Sequence, residues 1–296
     1  MTHADSTVLL DSARRSGQGV GAMNVIQLEH AEAIVTGAER AGRPVVLQLS
    51  ENTAAYHGAL APLALATVRI AETASVPVVV HLDHATDAAL VREAVDLGIR
   101  SVMFDASTLP HEENVAATRD VVQWCHDRGV AVEAELGEVG GKDGVHAPGA
   151  RTRPDEAAAY VEATGVDSLA VAVGSSHAMT TRDAVLDDGL IAAIAAVVPV
   201  PLVLHGSSGV PDDGLVTAVA AGMTKVNIAT HLNVALTAAV RAALARDDAL
   251  VDPRKYLGPG RAAVAEEVAR LLVLLGTGVD ERRPGGPPSG RAGPTS

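Results

Sequence analysis

Short apolar runs rich in Val, Ile and Leu recur along the chain, with longer stretches of helical periodicity between them. The runs are GVGAMNV (19–25), VVLQLS (45–50), VVVHL (78–82), SVMFD (101–105), AVEAELG (131–137), SLAVAV (168–173), PLVLHG (201–206) and KVNIAT (225–230). Their length and composition predict strands, and intervening pieces such as AAIAAVV and GLVTAVAAG predict helices. Several helical pieces open on Pro or acidic residues, as in RPDEAAAYV and PDDGLVTAV, which suits a first helical turn. Alternation of strand and helix predicts a parallel sheet. Eight repeats predict its closure into an α/β fold of the (β/α)8 barrel type, the TIM barrel. The competing open, doubly wound sheet wants a Gly-rich phosphate turn after its first strand, and GVGAMN is a poor version of one. Residues 253–275 predict an extra C-terminal helix after a Pro/Gly turn. The Pro/Gly/Ser-rich end predicts disorder, which leaves one barrel domain over residues 1–279 and a tail over 280–296. No short-period repeat suggests a solenoid.

Composition narrows the class. A chain of 296 residues that is 48% hydrophobic supports one large core. A net charge of −13 with 2% aromatic residues argues against a nucleic-acid partner. Cys125 is the single cysteine, so no intramolecular disulfide forms, and a reducing, cytoplasmic location is expected. The opening MTHADSTVLLDSARRSG lacks the long apolar run of a signal peptide, and no stretch is apolar enough to predict a membrane span.

Candidate chemistry gathers at the downstream ends of the strands, the face where barrels of this type keep their active sites. His84, His177 and His205 each stand at such an end, in VVVHLDH, SLAVAVGSSH and PLVLHGSSG. Three converging imidazoles suit a catalytic zinc with one open position. Asp83 adds a carboxylate at the same rim for metal-assisted acid/base chemistry. His81 shares a strand face with Asp83 by the two-residue period and reads as a hydrogen-bonded core histidine. Glu133 and Glu135 share a face of the fifth strand. Glu135 either orients a ligating histidine or joins an ion pair inside the barrel, and Asp105 faces the same choice. The Gly-rich run EVGGKDGVHAPGAR (138–151) reads as a lid carrying an acid, Asp143, or as an ordinary exposed loop; its position on the active rim favours the lid. GSSG (206–209) and NIAT (227–230) follow the seventh and eighth strands, where barrel enzymes hold phosphate.

Several motifs resemble, in combination and in order, the class II, metal-dependent ketose-bisphosphate aldolases, which include fructose- and tagatose-bisphosphate aldolases. They are HLDHATDAALVREAVDLGIRSVMFDAS, VEAELGEVGG, TGVDSLAVAVGSSHA, VPVPLVLHGSSGVPDD, AGMTKVNIAT and DPRKYLGPGR, within a similarity running from about residue 8 to 278. The resemblance implies a zinc-dependent carbon–carbon lyase with one zinc per subunit on His84, His177 and His205. Asp83 matches the acid/base that handles the C4 hydroxyl. Gly206, Ser207 and Ser208, with Asn227, Ile228, Ala229 and Thr230, match the segments that hold dihydroxyacetone phosphate, and Ala178 falls where a contacting glycine is usual. Asn24 and Ser50 complete the substrate-binding candidates. Members form dimers or larger assemblies, so a homodimer or homotetramer is expected, and some bind a monovalent cation (Na+ or K+) near the phosphate.

The departures concern phosphate recognition. Thr181 stands where the family commonly has a lysine, with Arg182 next to it, and Asn233 stands where a basic residue often helps hold the far phosphate. Ser207 replaces a glycine, and the lid is one residue shorter than the familiar pattern. Losing Lys or Arg weakens phosphate binding. The resemblance implies reversible cleavage of a ketose (bis)phosphate such as fructose or tagatose 1,6-bisphosphate into dihydroxyacetone phosphate and an aldehyde. The departures offer as the alternative an aldolase of altered preference, for a ketose with one phosphate, no phosphate or a different far end, with Arg182 or Arg254 as substitute cations. A Schiff-base aldolase needs an inward lysine near the rim. Lys142, Lys225 and Lys255 are the only lysines, and Lys225 is expected at the upstream end of its strand. A barrel metallohydrolase wants a His-x-His on the first strand, which AMNV lacks. A non-catalytic metal-binding barrel has no use for Asp83.

Overall fold

The structure, a computed structural model, describes residues 4–136, 151–175 and 181–276. Eight strands are β1 (Val20–Asn24), β2 (Val45–Ser50), β3 (Val78–Ala85), β4 (Ser101–Phe104), β5 (Ala131–Glu135), β6 (Ser168–Ala170), β7 (Leu202–Leu204) and β8 (Met223–Ile228). They pair in parallel in chain order, and β8 pairs with β1, so the sheet closes into the expected barrel. The helices are α1 (Ser6–Ser16), α2 (Leu28–Ala41), α3 (Glu51–His57), α4 (Ala61–Thr73), α5 (Ala88–Asp96), α6 (His111–His126), α7 (Pro154–Thr164), α8 (Asp188–Val197), α9 (Asp212–Ala221), α10 (Thr230–Leu244) and α11 (Pro253–Gly276). A boundary at 279 and a tail over 280–296 lie outside the described residues. Among the described residues no helix is long and apolar enough to cross a membrane.

The core has two parts. Outward strand residues such as Leu47, Val80, Leu82 and Val132 pack under the surrounding helices in one continuous cluster. At the upstream end, Val20, Ala22, Val46 and Val79 pack with Leu10 and Ala13 of α1 in a second cluster. Their alternation places them on the same strand faces as Asn24, Gln48 and His81. The inward rows thus run from apolar residues under α1 to polar residues toward the downstream mouth. This gradient places the chemistry at one end.

The C-terminal helix expected over 253–275 is present, but the Pro/Gly turn expected before it is not a turn. α11 begins at Pro253 and carries Pro259 inside it. Packing explains the tolerance. A Cβ on Gly260 would meet Val240 at 3.1 Å and Leu236 at 3.3 Å, so α11 lies close on α10 there. Gly37 of α2 does the same on the other side, where a Cβ would meet the Ala265 carbonyl at 2.6 Å and Val268 at 2.7 Å. Burial of Val264, Val268, Leu271 and Leu272 along α11 offsets the backbone bond that Pro259 cannot make.

Candidate active site

Strand parity carries most of the site. Val79, His81 and Asp83 form one inward row of β3, Glu133 and Glu135 one of β5, and Lys225 and Asn227 one of β8. By the same parity His84 would point away from Asp83. It does not, because β3 runs on to Ala85 and its register against β4 shifts between Leu82 and Ala85. His84 takes φ +51°, the one positive φ among the described non-glycine residues. A bulge of this kind re-aims a side chain, and the left-handed backbone is a local cost that persists where the surroundings over-determine it. The result brings His84 against His205, with ring centroids 4.7 Å apart.

His84, Glu135 and His205 each offer one ligand atom, all within 4.8 Å of one another. Two imidazoles and a carboxylate suit zinc or another first-row divalent ion. His84 Nδ1 lies 2.7 Å from Asp105 Oδ2, and the other oxygen of Asp105 accepts from the Ser107 hydroxyl (2.6 Å) and backbone N–H (3.1 Å). Asp105 thus orients the His84 ring from behind. Glu135, by contrast, stands among the candidate ligands, with Oε2 3.1 Å from His205 Nδ1. His177, Ala178 and Asp143 lie outside the described residues.

Asp83 is buried and accepts a hydrogen bond from Asn24 Nδ2 at 3.2 Å through Oδ2. Gln48 Nε2 in turn donates to Asn24 Oδ1 at 3.3 Å. Asp83 Oδ1, Gln48 Oε1 and Asn227 Oδ1 are buried acceptors without a partner among the described residues. Burial pushes the Asp83 carboxyl up, but the nearby His84, Lys225, His205 and His81 outweigh it and hold the group below its ordinary value. Burial lowers His84, yet Asp83 and Asp105 leave it raised. Burial likewise opposes the His205 cation, but Glu133 and Glu135 push that ring up to about 10. His81 is taken down to about 3 by burial and then by Lys225. It bonds Ser101 Oγ at 2.8 Å and is a core histidine, as expected.

The segments after β7 and β8 are tied together. Gly206 adopts φ +65° and leads into a single 3₁₀ turn, Ser207–Gly209. The Ser207 hydroxyl donates to the Asn227 carbonyl, while Ser208 Oγ accepts from the N–H groups of Ala229 (3.3 Å) and His231 (3.4 Å). Ile228 is buried, and Thr230 opens α10. Ser50 caps α3, accepting from the Thr53 N–H at 3.2 Å. Arg182 donates to the Val210 carbonyl at 2.8 and 3.1 Å and to Asp212 at 2.6 Å. Arg254 pairs with Asp252 at 2.8 Å, its side chain 88% exposed.

Sequence reasoning offered an ion pair inside the barrel, but it missed Lys225 as the partner, which was expected at the upstream end of its strand and stands instead in the middle of β8. Lys225 Nζ donates to Glu133 Oε2 at 2.7 Å, inside the barrel and one layer below the mouth. The available signal was a lysine and a glutamate, each on an inward row of an otherwise apolar strand. Gln48 carried the same signal on β2.

The family model described as "Fructose-bisphosphate aldolase class-II" matches residues 4–278. The chain belongs to the class II fructose-bisphosphate aldolase family. It is 40% identical over 277 residues to a fructose-bisphosphate aldolase of Staphylococcus epidermidis, covering 91% of this chain and 96% of that one. It is 40% identical over 273 residues to that of Geobacillus stearothermophilus, covering 91% and 95%. The crystal structure of the YdjI aldolase from Escherichia coli K12 superposes with a TM-score of 0.81 at 31% identity, covering 94% of this chain and 99% of that one. The protein is accordingly an aldolase of the lyase class, in a metal-dependent family, and its histidine–carboxylate cluster is chemically suited to such a metal.

Proposed function

We propose that this aldolase uses one zinc per subunit to cleave, reversibly, the C3–C4 bond of a ketose (bis)phosphate. Fructose 1,6-bisphosphate and tagatose 1,6-bisphosphate are the type substrates, and dihydroxyacetone phosphate and an aldehyde the products. The observation that carries the reading is the buried Asp83 beside the His84, Glu135 and His205 donor cluster at the barrel mouth. His177 joins His84 and His205 as a ligand. The zinc supplies Lewis-acid stabilisation of the charge that cleavage leaves on the substrate.

Asp83 takes the C4 hydroxyl proton in cleavage and returns it in condensation. Its ionised state, its tether to Asn24 and its Oδ1, which has no partner among the described residues, suit that role. Asp143 moves the proton at C3. Gly206, Ser207 and Ser208 with Asn227 to Thr230 hold the phosphate, aided by Asn24, Ser50 and Ala178, and a monovalent cation sits nearby. The barrel domain of residues 1–279 does this work as a homodimer or homotetramer in the cytoplasm, and segment 280–296 is dispensable.

A second reading concerns the far end of the substrate. Arg182 is already engaged by Val210 and Asp212, and Arg254 by Asp252, while Asn233 carries no charge. This favours a ketose with a single phosphate or a different far end. The deciding experiment compares zinc-loaded and EDTA-stripped protein on fructose and tagatose 1,6-bisphosphates, their 1-phosphates and the free ketoses. Metal-dependent release of triose phosphate from the bisphosphates supports the first reading. Selectivity for the singly phosphorylated or free ketoses supports the second, and silence across the panel refutes both.

A further inference from the structure

Lys225, Glu133 and His205 are buried together at 1%, 2% and 0% exposure. Lys225 Nζ donates to Glu133 Oε2 at 2.7 Å, and the Ser168 hydroxyl donates to the same oxygen at 3.4 Å. Glu133 Oε1 is thereby left facing His205 Nε2 at 3.2 Å. A carboxylate only accepts, so without metal both ring nitrogens carry a hydrogen; a metal beside Glu135 displaces the one on Nδ1, and Glu133 keeps the one on Nε2. On the opposite edge of the ring, Nδ1 faces Glu135 and the candidate metal position. The Ser175 hydroxyl bonds the His205 carbonyl at 2.6 Å and holds the backbone in place. The remaining contact of the layer, from Lys225 to His81 Nε2 at 3.3 Å and on to Ser101, leads away from His205.

We propose that the buried Lys225–Glu133 pair is a positioning device that fixes the His205 ring with its hydrogen on Nε2, so that Nδ1 is the nitrogen presented to the metal. The inference rests on the metal-site reading above. A buried ion pair is weak evidence of stabilisation by itself, since apolar residues of similar volume often do as well. A directional role for the carboxylate accounts for its placement.

Lys225 makes Glu133→Gln informative. A lysine can only donate, so the amide oxygen stays on Lys225 and the amide NH2 turns toward His205 Nε2. Nε2 must then accept, and the hydrogen moves to Nδ1. In the purified full chain we expect zinc affinity, measured by chelator competition, to fall about 10–100-fold, the range for loss of such an outer partner. In the zinc-loaded protein the 15N shifts of the His205 ring should show a metal-bound Nδ1 and a protonated Nε2 in the parent, a pattern lost in E133Q. Ser101→Ala, which touches the layer only through His81, should leave zinc affinity unchanged. If E133Q does not fold, the double variant E133L/K225M removes both charges together and should show a comparable loss of affinity. Parent-like zinc affinity in these Glu133 variants, or an equal loss in S101A, would overturn the proposal. Neither readout uses a ketose, so a failed cleavage assay bears on the proposed reaction and leaves this test standing.

Discussion

Asp83 and His84 are neighbours in the chain, and two physical devices put both at the mouth of the barrel. Ordinary strand alternation turns Asp83 inward, and the bulge at φ +51° brings His84 round beside it. Asp83→Asn keeps the shape and removes the base, so kcat should fall about 100-fold or more while bound zinc is retained; metal analysis alongside kinetics checks both. Asp105→Asn removes the carboxylate behind His84 and should weaken zinc binding about 10-fold or more, with kcat at saturating zinc less affected. Cys125 is different in kind. Burial pushes its thiol up to about 11. In the unfolded chain it ionises near the ordinary value, so its contribution to stability is present below about pH 9 and is lost as pH rises toward 11. A thiol reagent at pH 8 should react only after denaturation.

At the scale of elements, the contact of α11 with α2 and α10 depends on close approach. Gly37 has no room for a Cβ, with the Ala265 carbonyl 2.6 Å from where it would lie. Gly37→Ala forces α11 outward and should cost about 1–3 kcal/mol of stability, read as a lower urea midpoint. Arg261 of α11 also pairs with Glu32 of α2, an exposed contact of small consequence. α11 matters to the site because Glu267, on its inner side, bonds His231 at 2.7 Å, and His231 follows Thr230 at the start of α10. The helix therefore supports the segment proposed to hold phosphate.

For the whole molecule, closure of β8 onto β1 brings residues more than two hundred positions apart into register, as at Ala22 and Asn227. The apolar upstream layer under α1 and the polar downstream mouth make the barrel interior one-sided. A metal that binds only the assembled site stabilises the fold by mass action. Free zinc at about 100 times its dissociation constant should add about 2.7 kcal/mol, seen as a melting temperature that rises with zinc and falls with EDTA. Deleting segment 280–296 should leave kcat/KM and melting temperature unchanged.

Local pattern was enough for much of this. A period of two within the strands and helical periodicity between them encode which faces are buried, so the barrel, the inward His81 and Asp83, and the rim placement of His205 follow from the chain. Ends of runs were harder: β3 continues to Ala85 and α11 absorbs Pro259, because pairing and packing outweigh local preference. What depended on the closed barrel were contacts across it. Glu135 joins His84 and His205, Asp105 stands behind His84, Lys225 meets Glu133, and Arg182 is taken by Asp212. Each pairs side chains many residues apart, and which pairs meet depends on register, shear and one bulge, quantities that exist only once the sheet has closed.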